Sequence, residues 1–520
     1  MERLSSWICG EWQTGQGSMS ILVNPTTEAP VADTSTAGLD LGTALSFARE
    51  QGGAALRKMT FGQRGELLAH LSKAIHAVRE ELIDIGRLNA GNTRADAKFD
   101  IDGATGTLMY YAKLAKKLGD RHTILDGEPI QIGGARLQGQ HILTPKPGVA
   151  VHINAFNFPA WGLAEKAACA LLAGMPVVSK PATSTAYMTW AMVKAISEAN
   201  ILPAGVLSLV CGSAYDLLDH VEWSDVVAFT GGADTADRIR NHPRVLQTGA
   251  AVNIEADSLN STVLAAHAKD VTYDAFINHI ATEMTQKAGQ KCTATRRILV
   301  PDDRVDEFIE DLGERLDQTV VGDPGLDGVR MGPLATRSQL TSARDGLNAL
   351  QEEADIVYGS VEPGELKGVT QGTGFFVTPI VLRARDAHTA QTVHDVEVFG
   401  PVATILPYDG DASSACDLVR KGQGCLVSSL YGDDRTFLKE AILGLAGWHG
   451  RLSVTDAKVA EQAYPPGMAL PHLLHGGPGR AGGGEELGGH RGMRLYQQRT
   501  AIQGNGPLIA RFLDDDRTSE

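Results

Sequence analysis

From residue 147 to residue 255 the chain alternates short apolar runs with helical segments, and that alternation leaves few folds open. PGVAVHI is followed by WGLAEKAACALLAG at helical spacing and then by the β-branched PVVSK. STAYMTWAMVKAISEAN, GVLSLV, a short helix near 214–220, DVVAFTGG, ADTADRIRNH and GAAVNIEA continue the pattern. Five apolar runs separated by helices predict a parallel sheet with helices on both faces. Such sheets bind ligands at the carboxyl ends of their strands, where SK, TGG and IEA stand here.

The flanking regions read differently. A helical stretch covers roughly 42–118, including FGQRGELLAHLSKAIHAVREELIDIGRLNAG. HTILDGEPIQIGGARLQGQHILTPKPG then alternates apolar and polar residues around Gly-Gly, which predicts strand-turn-strand in an arm outside the parallel core. After 255 a second mixed segment opens with the helical VTYDAFINHIATEMTQKAG and the strand RRILVP. The Gly-rich 471–493 reads as loop. A chain of 520 residues holds two or three domains with full cores.

Charge and cysteine usage exclude several functions. A net charge of −15 argues against a broad nucleic-acid surface. The cysteines at 9, 169, 211, 292, 416 and 425 form no C-x-x-C pair and no His/Cys cluster of zinc spacing, so no metal is expected. So few thiols in a long chain fit a reducing compartment. The N-terminus lacks a basic-then-apolar signal pattern, and no apolar run nears the roughly 20 residues of a membrane span. The expectation is a soluble, cytoplasmic protein.

One thiol stands out. Residues 288–297 read AGQKCTATRR, with Lys287, Lys291, Arg296 and Arg297 around Cys292. A free cysteine is ordinarily a small packed side chain, and nearby Lys and Arg ordinarily form a solvated face. Local residues alone do not make Cys292 a nucleophile.

Distant motifs change that reading. FNFP at 156–159, SKPA at 179–182, FTGG at 229–232, GQKC at 289–292 and EVFGP at 397–401 occur in the order and approximate spacing of the aldehyde dehydrogenase superfamily. CGEWQTG…VNPTTEAPVA resembles that family's opening hairpin. The resemblance covers nearly the whole chain. It implies an α/β fold with a Rossmann-like parallel-sheet cofactor domain (1–120 and 145–255), an α/β catalytic domain (256–482) and a small β oligomerisation arm (121–144 and 483–520). The arm and the C-terminal RLYQQRTAIQG would pair across a subunit interface, giving a homodimer or a dimer of dimers.

It also implies roles. Cys292 matches the nucleophile that forms a thiohemiacetal with the aldehyde, and needs a site that favours the thiolate or supplies a base. Lys291 and Arg297 are candidates to favour it electrostatically. Asn157 matches the oxyanion-binding amide, working with the Cys292 backbone N–H. Glu255 matches the base that activates water against the thioester. Here the chain departs from the family: NIEADSLNS replaces the usual Leu-Gly-Gly-Lys after the glutamate. Asp257 thereby adds a second carboxylate, whose repulsion would raise a neighbour's pKa.

No G-x-G-x-x-G follows the first strand, in keeping with the family's variant cofactor site. By resemblance, Ser179, Lys180, Pro181 and Thr183 lie at the adenosine ribose. Gly231 and Gly232 open a helix near the pyrophosphate, and Glu397 and Phe399 hold the nicotinamide end. NAD-preferring relatives commonly carry Glu where Thr183 stands. Without that carboxylate a 2′-phosphate is not repelled, so NADP is expected over NAD.

The ADS after the glutamate, HINAFNFPAWG and TATRR resemble the branch of the family that acts on CoA-linked semialdehydes in aromatic breakdown. The expected substrate is therefore a small aldehyde linked to coenzyme A. Two other chemistries stay open. A CoA-acylating dehydrogenase often lacks the glutamate. A Cys-dependent hydrolase wants a histidine paired with Cys292, and His152 and His394 form no recognisable pattern with it.

Overall fold

The computed structural model describes residues 1–515. Its first large sheet holds the five predicted runs as parallel strands: Ala150–Ile153, Val177–Lys180, Leu207–Leu209, Val226–Thr230 and Ala251–Glu255. In spatial order the fifth strand lies beside the fourth, then come the first, second and third. Ser6–Ile8 and Glu11–Gln13 extend the far edge antiparallel. The strand order reverses between Ala150–Ile153 and Val226–Thr230, and a crevice at such a switch point is where open α/β sheets take ligands. Phe156 and Asn157 leave the first strand there, and Gly231 leaves the fourth. Thr230 pairs with Glu255 across the last two strands.

Helices cover both faces. Trp161–Ala173 is apolar nearly all round and almost wholly buried. Phe61–Ala77 and Arg94–Leu118 pack beside it, both started by threonine N-caps at Thr60 and Thr93. A threonine hydroxyl at this position satisfies a backbone N–H that the helix itself leaves unpaired.

The second large sheet runs Ala354–Tyr358, Ile380–Ala384, Val402–Tyr408, Arg297–Pro301, Ser261–Leu264, Cys425–Tyr431 and His449–Thr455. All pairs in it are parallel except the first. Arg297–Pro301 is the predicted RRILVP strand, and it begins just after Cys292.

The arm is built from Leu137–Pro145, flanked by Ile124–Leu125 and Ile130–Gln131. Its long strand pairs antiparallel with Gln497–Asn505 over its whole length. The arm thus meets the C-terminal strand of its own chain, where the sequence suggested pairing between subunits. The terminal helix Gly506–Asp515 has no counterpart among the sequence expectations. No helix among the described residues is long and apolar enough to cross a membrane.

Candidate active site

The loop carrying Cys292 is held in a strained path. Helix Asp270–Thr285 ends, and Lys287, Ala288 and Gly289 follow with φ of 54°, 52° and 69°. Left-handed backbone is costly for residues with a Cβ and persists where the surroundings impose it. The loop also runs close to EVFGP, since a Cβ on Gly289 would collide with the Gly400 carbonyl.

The neighbouring cations do not form a solvated face. Lys291, 1% exposed, pairs with Glu283 at 3.0 Å. Arg297, also 1% exposed, donates to the carbonyls of Leu259, Leu418 and Val419. Arg296 is buried as well; it donates to the carbonyls of Gly289, Lys291 and Gly400 and lies 3.4 Å from Glu397. Lys291 and Arg297 are therefore occupied in fastening the loop and its following strand, and neither pairs with the thiol.

Cys292 opens into a cavity lined by Asn157, Phe158, Trp161, Glu255 and His475, among others. The Asn157 amide is buried and donates to the Gln290 carbonyl at 2.9 Å. Glu255 ends its buried strand beside the thiol. His475 completes the group: its Nε2 lies 3.1 Å from Glu255 Oε2 and 3.9 Å from Cys292 Sγ. The reactive atoms of Glu255, Cys292 and His475 all lie within 4.8 Å of one another.

His475 is the site residue that sequence reasoning missed. It belongs to a short strand, Leu474–Gly476, paired antiparallel with Glu485–Leu487 inside the stretch expected to be loop. The intervening glycines let this hairpin sit against the end of the Glu255 strand. Gly484 N–H donates to the Ile254 carbonyl, Ala256 N–H donates to Ala481, and a Cβ on Gly482 or Gly484 would strike Ile254. That docking brings His475 to Glu255.

Charges at the centre are strongly coupled. Burial alone would raise the Glu255 carboxyl, but adjacent His475, then Lys166, outweigh it and hold the carboxyl well below its usual range. Burial alone would lower His475, but Glu255 chiefly, with Glu165 and Glu486, carries it up to about 9. Burial, then Glu255, push the Cys292 thiol well above its ordinary value. These shifts all favour a neutral thiol beside a carboxylate–imidazolium pair. Behind it, Lys166 bridges Glu165 and Glu486 at 3.1 and 3.0 Å, and Asn253 donates to Glu486.

Asp257 turns away from the role its position suggested. Its carboxylate accepts from Ala233 N–H at the start of helix Ala233–Arg240. Its charge falls on Glu397, where burial first and Asp257 as a further contributor raise the carboxyl to about 7, against Arg296.

Of the expected cofactor residues, Ser179, Lys180, Pro181, Thr183, Gly231 and Gly232 stand at or after the carboxyl ends of strands in the first sheet, and Glu397 and Phe399 precede Val402–Tyr408 of the second. Ser179 is buried and accepts from Asn154. Lys180 ends its strand, with burial lowering its pKa. Buried Pro181 leads into the turn Thr183–Thr185, where the Thr183 hydroxyl donates to the Gly212 carbonyl at 3.0 Å. Gly231 N–H donates to the Glu255 carbonyl, and Gly232 caps the following helix with open space where a Cβ would stand. Phe399 meets Phe156 edge-on and carries the Arg296 guanidinium over its ring.

The sequence matches the aldehyde dehydrogenase family over residues 12–501, and the chain belongs to that family. It is 45% identical over 479 residues to a 3,4-dehydroadipyl-CoA semialdehyde dehydrogenase of Aromatoleum evansii, covering 92% of this chain and 93% of that one. In fold it resembles 3,6-anhydro-L-galactose dehydrogenase in complex with NAP, with a TM-score of 0.84 at 22% identity over 97% of this chain and 100% of the other. An NAD-dependent aldehyde dehydrogenase from Sinorhizobium meliloti gives a TM-score of 0.84 at 23% identity over 97% and 95%. The protein is an oxidoreductase that converts an aldehyde to its carboxylic acid with a nicotinamide dinucleotide. The residues present fit such a group. Open space lies at Gly232 beside the N-terminus of helix Ala233–Arg240, where the Asp257 carboxylate holds the Ala233 N–H. The rest of that first turn is suited to a pyrophosphate, and the terminal cation of Lys180 and the Glu397 carboxylate supply a polar group for each end.

Proposed function

We propose that this enzyme oxidises a CoA-linked semialdehyde, such as 3,4-dehydroadipyl-CoA semialdehyde, to the free acid with NADP, using Cys292, Asn157 and Glu255. The Cys292 sulfur attacks the aldehyde carbon, forming a C–S bond while the carbonyl π pair moves to oxygen. The Asn157 amide and the Cys292 backbone N–H stabilise that oxygen, the type of interaction that dominates acyl chemistry in dry sites. The nicotinamide, when bound, accepts the hydride that leaves carbon. The resulting thioester on Cys292 is attacked by water whose proton Glu255 takes, the C–S bond breaks, and the acid departs. Phe158 and Trp161 line the apolar wall that excludes bulk water.

The observation that carries this reading is the meeting of Cys292 and Glu255 in one buried cavity, two residues that are 37 positions apart in sequence (292 − 255). The substrate rests on the 45% identity to the Aromatoleum enzyme. NADP is favoured over NAD by Thr183, which puts no carboxylate beside Lys180 to repel a 2′-phosphate. Ser179, Lys180, Pro181 and Thr183 serve the adenosine end, Gly231 and Gly232 the pyrophosphate, and Glu397 and Phe399 the nicotinamide end. The exposed strand Gln497–Asn505 has an unpaired outer edge, a surface suited to a second subunit. The assembly we propose is a homodimer or dimer of dimers, and six free cysteines support a cytoplasmic setting.

Absorbance at 340 nm with NADP and the CoA-linked semialdehyde in ¹⁸O-water tests the reaction. Reduced cofactor should appear together with an acid carrying one oxygen from water. A requirement for added free coenzyme A, with an acyl-CoA made at the aldehyde carbon, would overturn the reading.

A further inference from the structure

His475 stands where two potential anions meet, and nothing in the reaction so far uses it. Its Nε2 is 3.1 Å from a Glu255 oxygen and 3.9 Å from Cys292 Sγ, and the imidazole is buried. The Cys292 sulfur, a Glu255 carboxylate oxygen and a His475 ring nitrogen lie within 4.8 Å of one another. Among the described residues neither Glu255 oxygen receives a hydrogen bond of good geometry, so the Glu255–His475 contact is held mainly by charge. The same Nε2 is also in hydrogen-bonding range of the sulfur.

We propose that His475 is a fixed imidazolium counter-charge shared by Glu255 and Cys292, and that it lets the thiol ionise by passing its proton to Glu255. The inference rests on the reading of Cys292 as nucleophile and Glu255 as base. The S–H bond breaks, an O–H bond forms on Glu255, and the negative charge moves from carboxylate to sulfur. Both sites face the same Nε2, so the move separates no charge. In a buried site an anion left without a partner is strongly disfavoured, and His475 offsets that cost at either position. The proton on Glu255 then leaves to solvent before water is activated. It is one of the two protons released when an aldehyde and water give a carboxylate, with hydride passing to the oxidised nicotinamide. Glu255 returns to its pairing with His475 for the hydrolytic step.

The other charged groups around the imidazole reinforce a protonated state. Glu255 faces it from the end of the fifth parallel strand, Glu165 from helix Trp161–Ala173, and Glu486 from the partner strand of its own hairpin. Lys166, on the same helix as Glu165, is tied to Glu165 and Glu486. Glu397 acts on the Cys292 side.

The test is the pH dependence of Cys292 alkylation by iodoacetamide, followed by peptide mass without cofactor or aldehyde. His475→Gln and the shape-filling His475→Phe should alkylate about tenfold or more slowly at pH 7, the factor for one pKa unit, and converge with the parent chain near pH 10. His475→Lys, which keeps a cation, should recover part of the rate. Cofactor binding checks that each variant is folded, and either neutral variant suffices. An unchanged alkylation profile in a folded neutral variant would overturn the proposal, as a merely structural histidine would leave that profile in place. Failure of the functional reading appears separately, as absence of nicotinamide reduction by the unaltered enzyme with any aldehyde.

Discussion

Replacing Glu255 by glutamine keeps the shape of the side chain and removes its charge and basicity. Two consequences follow from the geometry. Glu255 is the chief group raising His475 from 6.5 to about 9. That rise of about 2.5 units corresponds to about 3 kcal/mol favouring the imidazolium. With the carboxylate gone, His475 loses the chief charge that raises it, and the imidazole in Glu255→Gln should titrate lower than in the parent chain. Water then loses its base, and a positioned general base contributes about 10²–10⁴ in rate. Acylation slows too, because the thiol loses the acceptor of its proton. Hydride transfer itself requires no water, so each subunit that does acylate should reduce one nicotinamide and stall. Rapid mixing at 340 nm should show a burst no larger than one equivalent per subunit, followed by a steady rate lower by about 10²–10⁴. Intact mass should show the acyl group retained on Cys292. Steady turnover within tenfold of the parent enzyme, with no retained acyl group, would refute the assignment of Glu255.

Asn157→Ala removes an oxyanion donor and should lower kcat by about 10²–10³ with little change in cofactor affinity; stopped-flow hydride transfer checks it. Thr183→Glu places a carboxylate in the turn that follows Lys180 and should lower the NADP/NAD ratio of kcat/KM by about tenfold or more, read from paired initial rates. The Glu255–His475 pair also gives stability a pH window. His475 is raised, so its contribution is complete below 6.5 and is lost as pH rises through about 9. Glu255 is depressed, so its contribution is complete above 4.5 and is lost as pH falls toward its folded value. The Tm gap between the parent chain and His475→Gln should therefore be widest between those limits and narrow from pH 7 to pH 10 by scanning calorimetry.

The parallel sheet was legible because each of its strands is a continuous apolar run between helices, a pattern set by burial on both faces. Cys292, Glu255 and Asn157 were legible only through motif order, and the cavity they share has no local signature. His475 was illegible for a physical reason. It stands in LLHGGPGRAGGG, whose glycines read as loop, yet those same glycines let the backbone approach Ile254. The signal available was a histidine beside a Gly-rich turn, which is not specific. Lys291 and Arg297 misled in the opposite way, since long cations usually face water. Here Glu283 and a set of backbone carbonyls satisfy them in the interior. The Asp257 position was visible but its direction was not, because the helix N-terminus that receives it lies 24 residues away in sequence.

The central claim is oxidation of a CoA-linked semialdehyde at Cys292, and kcat/KM for that semialdehyde measured beside the same aldehyde without coenzyme A tests it most directly. The CoA-linked form should be preferred by about tenfold or more, the equivalent of 1.4 kcal/mol of transition-state binding, and Cys292→Ala should abolish turnover of both. Equal efficiency on the two aldehydes would contradict the account.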